Sequence, residues 1–240
     1  MAFAHGRNGR VFINGFDISA FLKQAGGGAT VQMLDTTAFG TTDDMTFIPG
    51  PKKAMMKMNG LLDETAVTGI GTLLEAAFGA ANSIFTLVPS SGDVIGQACF
   101  GFSANLGTYN LDTSVGGIGK LDAEATSNYG WERLIIHHAM TTEVATATGA
   151  AQDNGAASTN GGVGFLQVPD ITGITALDVV IQDSADGSTG WATILTFTSV
   201  TADRAKQRVA ITGTVRRFTR YVATFTGAGS AQFHVGFGRK

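Results

Sequence analysis

Several groups of residues in this chain are of types that do chemistry. The run Gly116-Gly117-Ile118-Gly119-Lys120 has the composition of a phosphate-cradling loop. Its spacing is wrong, no Ser or Thr follows Lys120, and Leu121 onward reads as a strand where such a loop must open a helix. His137-His138 offers two imidazoles, but neighbours on a strand point to opposite faces, so the pair is not expected to chelate one ion. His5 and His234 have no ligand partners at useful spacing. Asp35, Asp43 and Asp44 are acids of the kind used in hydrolysis, yet they flank a Gly/Thr-rich loop with no matched base and no EF-hand spacing, and they read as solvated carboxylates. Arg216, Arg217 and Arg220 interleave with Phe218 and Tyr221 as in a nucleic-acid patch. Strand alternation splits that group, with Arg216, Phe218 and Arg220 on one face and Arg217 and Tyr221 on the other, so the arginines read as interface or rim charges. Cys99 stands alone in an apolar alternating run, which excludes an intrachain disulfide, a Cys/His zinc pattern or a redox pair and reads as a small buried hydrophobe. No catalytic constellation, metal site or cofactor loop emerges, and an enzyme is not expected.

The elements around these residues are strands. The chain is 44% hydrophobic, with 33 Gly, 16 Phe and only 15% charged residues, against about 25% in ordinary globular domains. Such a balance suits an all-β protein that hides surface against copies of itself, since a monomer needs more charge for solubility. Residues 1–149 carry 8 Lys+Arg and 13 Asp+Glu, hence −5, and residues 150–240 carry 8 and 6, hence +2, which recovers the total of −3. The acidic first part disfavours tight binding to a phosphate backbone and suits a surface that DNA slides past. No apolar run approaches the roughly 20 residues of a membrane-spanning helix. Arg7 and Arg10 are not followed by the apolar core of a signal peptide, so synthesis and folding in a cytoplasm are expected.

Asn14-Gly15 between apolar residues predicts a tight hairpin joining strands 10–13 and 16–18. Ser19 is expected to cap a short turn over 20–24 that Gly26-Gly27-Gly28 ends. Strands are predicted over 30–37, 53–63, 83–88, 97–106, 118–126 and 131–137. In the last but one, Leu121, Ala123 and Ala125 face inward and Lys120, Asp122, Glu124 and Thr126 face outward. The single helical stripe is Val67, Ile70, Leu73, Leu74, Ala77 and Phe78, with Thr65 as N-cap and Gly79 just past the end, and it is expected to cover a sheet face. Residues 145–162, rich in Ala, Gly, Ser and Thr, read as a flexible linker. Six strands then follow, over 163–168, 176–183, 191–197, 207–212, 218–225 and 232–237, and predict a small β-sandwich with Trp191 and Phe218 in its core. The expected domains are 1–144, a linker 145–162, and 163–240.

The most distinctive motif is Leu34-Asp35-Thr36-Thr37-Ala38-Phe39-Gly40, then Thr46-Phe47-Ile48-Pro49-Gly50-Pro51, then Met56-Lys57-Met58-Asn59-Gly60-Leu61-Leu62-Asp63. A strand runs into a polar loop that closes on Phe-Ile-Pro-Gly and re-enters a strand. With the hairpin before it and the helix and alternating strands after it, this order over residues 10–140 resembles the major tail proteins of long-tailed, non-contractile bacteriophages. The last 80 residues resemble the immunoglobulin-like or carbohydrate-binding-like sandwich appended to many of them.

The resemblance implies a mostly-β tail-tube fold, two packed sheets and one α-helix, whose copies join edge to edge into a probable hexameric ring lined by a continuous β-barrel. It implies a virion structural protein that stacks as rings into the tail tube, the conduit for DNA ejection, and that meets itself and the tape-measure, tail-tip and tail-terminator proteins. DNA would pass without specific binding, and the sandwich would face outward, where host-surface glycans are its potential ligands. Phe39, Phe47, Ile48 and Pro49 would anchor the loop 39–51 on a neighbouring subunit. Lys120, Asp122 and Glu124 are the expected lumen face, where net negative charge keeps phosphates from sticking. The alternative from a different class is a capsid decoration or glycan-binding module of the virion, which would use the sandwich and have no need of the anchor loop.

Overall fold

The computed structural model describes residues 8–36, 45–66, 68–89, 91–113, 115, 117–128 and 130–240. It is mostly β, with one α-helix among the described residues. The chain divides into two compact units that are discontinuous in sequence. One comprises Ile84–Gly101, Glu132–Lys240 and the described residues up to Ala20, and the other comprises Phe21–Ser83 and Phe102–Trp131. The expected division into 1–144, 145–162 and 163–240 is therefore not how the chain partitions. Strands 84–88 and 132–143 pack with the C-terminal strands, because their apolar faces enter the same cores.

In the smaller unit, β3 (Leu22–Asp35) pairs with β4 (Phe47–Leu61). β4 pairs in turn with β7 (Lys120–Ser127), and β7 with the outer part of β6 (Ala98–Asp112), all antiparallel. Ala54, Met56 and Met58 of β4 and Leu121, Ala123 and Ala125 of β7 are buried in strict alternation, as one inward face requires. The helix α1 (Ile70–Ala77) buries Ile70, Gly71, Leu74 and Ala77. It starts later than predicted. Thr65 lies before it in a turn held by the Asp63 carboxylate, Gly69 takes the N-cap without a side-chain bond, and Val67 lies outside the described residues. Gly79 follows with φ +72°, the left-handed conformation expected just past a helix end.

The three glycines 26–28 do not end a turn. They lie inside β3, and Gly27 has a local reason. A Cβ there would stand 2.0 Å from the Trp131 ring, which stacks on Phe102 with centroids 5.1 Å apart. At Gly26 and Gly28 a Cβ would meet nothing.

The larger unit opens with β1 (Arg10–Ile13) and β2 (Phe16–Asp17), joined through Asn14 and Gly15 at φ +51° and +83°, the mirror-image turn the sequence predicts. β1 also pairs with β5 (Ser83–Val88). β8 (Glu132–Glu143) pairs with the first residues of β6. β14 (Ala205–Ile211), β11 (Gly162–Thr172) and β16 (Ser230–Arg239) continue that sheet in the order β14–β11–β16–β8. A second sheet holds β12 (Ala176–Ser184), β13 (Ala192–Thr196) and β15 (Phe218–Thr226). Between the sheets lies a core that includes Leu166, Leu177, Val179, Ile181, Phe197, Tyr221, Phe233 and Phe237. The other face of β11 and β16 carries a second core, with Val163, Phe165, Phe12, Val88, Cys99, Leu134 and Ile136. Cys99 is fully buried, and that burial pushes its thiol far above the usual range.

Two readings change here. Residues 145–162 are pinned. β9 (Ala147–Thr148) and β10 (Gln152–Asp153) pair with β15, and Ser158 exchanges backbone bonds with Val215. Small polar residues read as a linker because they bury little, yet their backbones still supply donors and acceptors for a sheet edge. His137 and His138 also do not diverge. Register shifts between β8 and β16 mark bulges around them, and a bulge turns consecutive side chains toward one side. His137 Nε2 lies 2.9 Å from Thr219 Oγ1, and His138 meets Tyr221 edge-on at 4.9 Å, so both rings reach β15.

Gln167 is the polar counterpart in the second core. Its Oε1 accepts from Gly15 N–H at 2.7 Å, and its Nε2 donates to Ile84 C=O at 3.2 Å, so a fully buried amide is satisfied while tying the first hairpin to β11.

Two stability predictions follow from named contacts. His137 Nδ1–H donates to Ile135 C=O and Nε2 accepts from Thr219, and burial lowers its pKa to about 4. The folded state thus holds a neutral ring, while the unfolded chain takes up a proton below about pH 6.5. The contribution of His137 to stability should fall as pH drops from about 6.5 toward 4, by roughly 3 kcal/mol, and change little below that. Urea unfolding of wild type and His137→Leu at pH 7 and pH 4.5 checks this, since the variant should lack that part of the slope. Gly27→Ala should lose about 1–3 kcal/mol by collision with Trp131, while Gly28→Ala should stay within about 0.5 kcal/mol of wild type. Equal losses at both positions would contradict the packing assigned to Trp131.

Candidate assembly surface

The outer half of the β3–β4 ribbon has no core of its own. β4 is buried alternately only from Ala54 onward, and Phe47, Ile48, Pro49, Pro51, Lys52 and Lys53 are all exposed. β3 is exposed on both faces along nearly its whole length, with only Leu22 and Ala25 half-buried. Backbone pairing nevertheless continues outward, through Val31↔Lys52, Leu34↔Ile48 and Asp35↔Phe47, and Thr36 N–H donates to Thr46 C=O at 2.8 Å. The ribbon is thus an arm of two strands. Pro49, which has no N–H to give a ladder, sits next to the register shift between Val31 and Met33, where a sheet tolerates proline.

The side chains on the arm do not suit water. Met33, Met45, Phe47 and Ile48 are 56%, 65%, 46% and 52% exposed, and Val31 and Leu34 lie beside them. A lone two-stranded ribbon is marginal in water, and the outer edge of β3, which no further described strand pairs and where only Lys23 and Asp35 are charged, is a ready template for another strand. Clustered apolar side chains on such an arm mark a surface that is covered in the working state. The predicted anchors Phe47, Ile48 and Pro49 are all on it. They belong to a strand, where the sequence reading had a loop. Phe39, Asp43 and Asp44 lie outside the described residues.

The second surface is the open face of the same four strands. Register places Gln24, Asn59, Asp122 and Asn110 in one row and Gly26, Lys57, Glu124 and Thr108 in the next. Lys120, Asp122 and Glu124 thus lie together on the face opposite Leu121, Ala123 and Ala125, as alternation predicts. Lys57 Nζ lies 3.3 Å from Glu124. Asn59 donates to Gln24 Oε1 at 3.2 Å. The face encloses a shallow trough of ≈ 690 Å³ lined by Gly26 and Gly28, where a side chain would meet nothing, while Gly27 faces the other way toward Trp131.

The arginines in and just before β15 form no open basic patch. Arg216 is held by Asp183, with Nε 2.8 Å from Oδ1, and Arg217 by a two-pronged contact to Asp153 at 2.7 and 2.6 Å. Hydrogen bonds from Arg217 hold the Asp153 carboxyl down at about 2. Arg220 lies over the Trp191 ring at 4.0 Å, and Arg217 over Phe218 at 4.9 Å. The core side of β15 is Thr219, Tyr221 and Ala223, so Trp191 and Phe218, expected in the core, are half-buried beneath guanidinium groups. Among the described residues no cluster of three or more His, Cys, Asp or Glu side chains could hold a metal ion, and no helix is long and apolar enough to cross a membrane.

No family model matches the chain, and no curated protein matches it. Among solved structures the chain is similar to one from the virion of a native gene transfer agent particle, at 11% identity and TM-score 0.42, over 55% of this chain and 98% of that one. It is similar to the SPP1 Dit protein, described as a hub of the adsorption apparatus in phages that infect Gram-positive hosts, at 11% identity and TM-score 0.40, over 95% and 98%. It is also similar to a chain of the phage p2 baseplate in its activated conformation, at 9% identity and TM-score 0.38, over 97% and 98%. Likenesses of this degree carry no assignment of function.

Proposed function

We propose that this protein is a structural subunit of a long-tailed bacteriophage tail, and that it assembles with copies of itself into stacked rings, six subunits to a ring, forming the tube through which DNA leaves the virion. The observation that carries the reading is the arm, a two-stranded ribbon with a bare edge and an apolar outer half that its own unit leaves uncovered. A motif resembling that of the major tail proteins spans this same ribbon.

The assembly works through edges and anchors. A head-to-tail contact that closes gives a ring, and joining β3 to a neighbour's strand satisfies its bare edge. Phe47 and Ile48, and Met33 opposite Pro49, then seat against another copy, removing apolar surface from water at about 25 cal/mol per Å². The face of Lys120, Asp122 and Glu124 lines the lumen, where Lys57 is taken up by Glu124 and no excess of cations holds the phosphates, so DNA slides without specific binding. The working location is the virion tail, and the further partners are the tape-measure, tail-tip and tail-terminator proteins. Such a subunit needs no turnover. The alternative of a capsid decoration or glycan-binding module draws no support from its aromatics, since Arg220 covers Trp191 and Tyr221 is buried.

The test is the double substitution Phe47→Asp with Ile48→Asp. Both positions are exposed, so the unfolding free energy of the subunit from urea titration should change by no more than about 0.5 kcal/mol. Electron microscopy of concentrated protein should show rings or tubes for wild type and dispersed subunits for the variant. Tubes of unchanged abundance from the variant would contradict the role given to the arm.

A further inference from the structure

The ends of β8 and β16 place two arginines on the lining of one cleft. Register pairs Phe237 with Ile135, and continuing it by two residues sets Arg239 across from Arg133. Like charges directly opposite on neighbouring strands repel. They line a cleft of ≈ 370 Å³ whose floor includes Leu134, Ile135, Phe237 and Gly238 and whose far wall is Gln152, Asp153 and Asn154 of the pinned segment.

Each polar group has a definite state. Arg239 is oriented by backbone, with Nη2 donating to Asn154 C=O at 2.6 Å and Nη1 to Ala156 C=O, and its charge reaches Asp153 only at longer range, adding to the pull of Arg217 on that carboxyl. Arg133 is exposed and makes no ion pair among the described residues. Asp153 is the one carboxylate lining the cleft, and Arg217 occupies both its oxygens. Counting Arg133, Arg239 and Arg217 against Asp153 leaves a formal charge of +2 around the cleft. Gln152 is half-buried, and its Oε1 is the atom that a side chain at Gly96 would meet, at 3.0 Å.

We propose that this cleft is an oxyanion site, in which the Arg133 guanidinium, beside the fixed charge of Arg239, holds a carboxylate or a phosphate group. Guanidinium pairs match such groups by planar forked donation. The apolar floor limits the occupant to a small head or a single acidic side chain. The site does not depend on ring assembly, and nothing in it involves the arm.

Thermal unfolding and amide NMR of the full chain test it, with inorganic phosphate or sodium acetate titrated at constant ionic strength set by sodium chloride. Either anion should raise the Tm and shift amide signals around Arg133, Gln152 and Arg239 in a saturable way, and the stronger of the two identifies phosphate or carboxylate as the natural group. Arg133→Gln, at an exposed position, should keep the anion-free Tm and weaken binding at least tenfold. A Tm rise that chloride reproduces, or a variant that responds as wild type does, would show an adventitious ion only and overturn the proposal.

Discussion

Burial along β4 stops at Ala54, while its hydrogen bonding does not. From Ala54 to Gly60 every second residue is buried, so the ladder and the core support one another. Before Ala54 only the ladder to β3 remains. Backbone pairing in water contributes little net stability by itself, and the apolar side chains on this stretch would each be better placed out of water. The strand therefore passes from a self-sufficient sheet into a segment whose favourable state is one covered by something else. The open trough, the outer edge of β3 and Gly27 against Trp131 all belong to the four strands that carry this transition.

The larger unit shows the opposite economy, in which nearly every group is satisfied internally. β11 and β16 carry an apolar core on each face. Several polar groups that enter are matched, Gln167 by Gly15 and Ile84, His137 by Thr219 and Ile135, and Asp183 by Arg216, whereas both ring nitrogens of buried His234 lack a hydrogen-bond partner among the described residues. Asp93 is drawn in beside His234, 3.3 Å away, and accepts from Met140 N–H at 2.6 Å, so its carboxyl stays below the usual range despite burial. A segment of small residues, 145–162, closes the edge of β15 by backbone bonds. Rigidity of this kind suits a part that must keep its shape.

Much of this was legible in the residues, and what was not has physical causes. The Asn14-Gly15 turn, the strand over 83–88 and the alternation around Leu121, Ala123 and Ala125 depend on local chemistry and period, and the structure has them where the sequence puts them. The start of the helix was misjudged because Thr65 binds Asp63 instead of capping. Glycines 26–28 resemble a break, but the room they leave at Gly27 is for Trp131, a hundred residues away in sequence, and no window of local sequence shows that. The bulge that turns His137 and His138 to one side, and the pairing of 145–162, likewise depend on partner strands. Of the candidate site, Phe47, Ile48 and Pro49 were read as loop anchors and proved to be strand residues, with Met33 and Met45 as unforeseen companions. The facing of Arg133 and Arg239 follows only from register.

Hydrogen–deuterium exchange of the arm tests the central claim most directly. In dilute, dispersed protein the amides of residues 31–35 and 47–53 should exchange within seconds, while those of residues 56–60 stay protected. On concentration into assemblies the first group should become protected by at least a hundredfold with the second unchanged. Strong protection of residues 31–35 and 47–53 already in the dispersed subunit would mean that the arm is supported by its own chain, and would contradict the account.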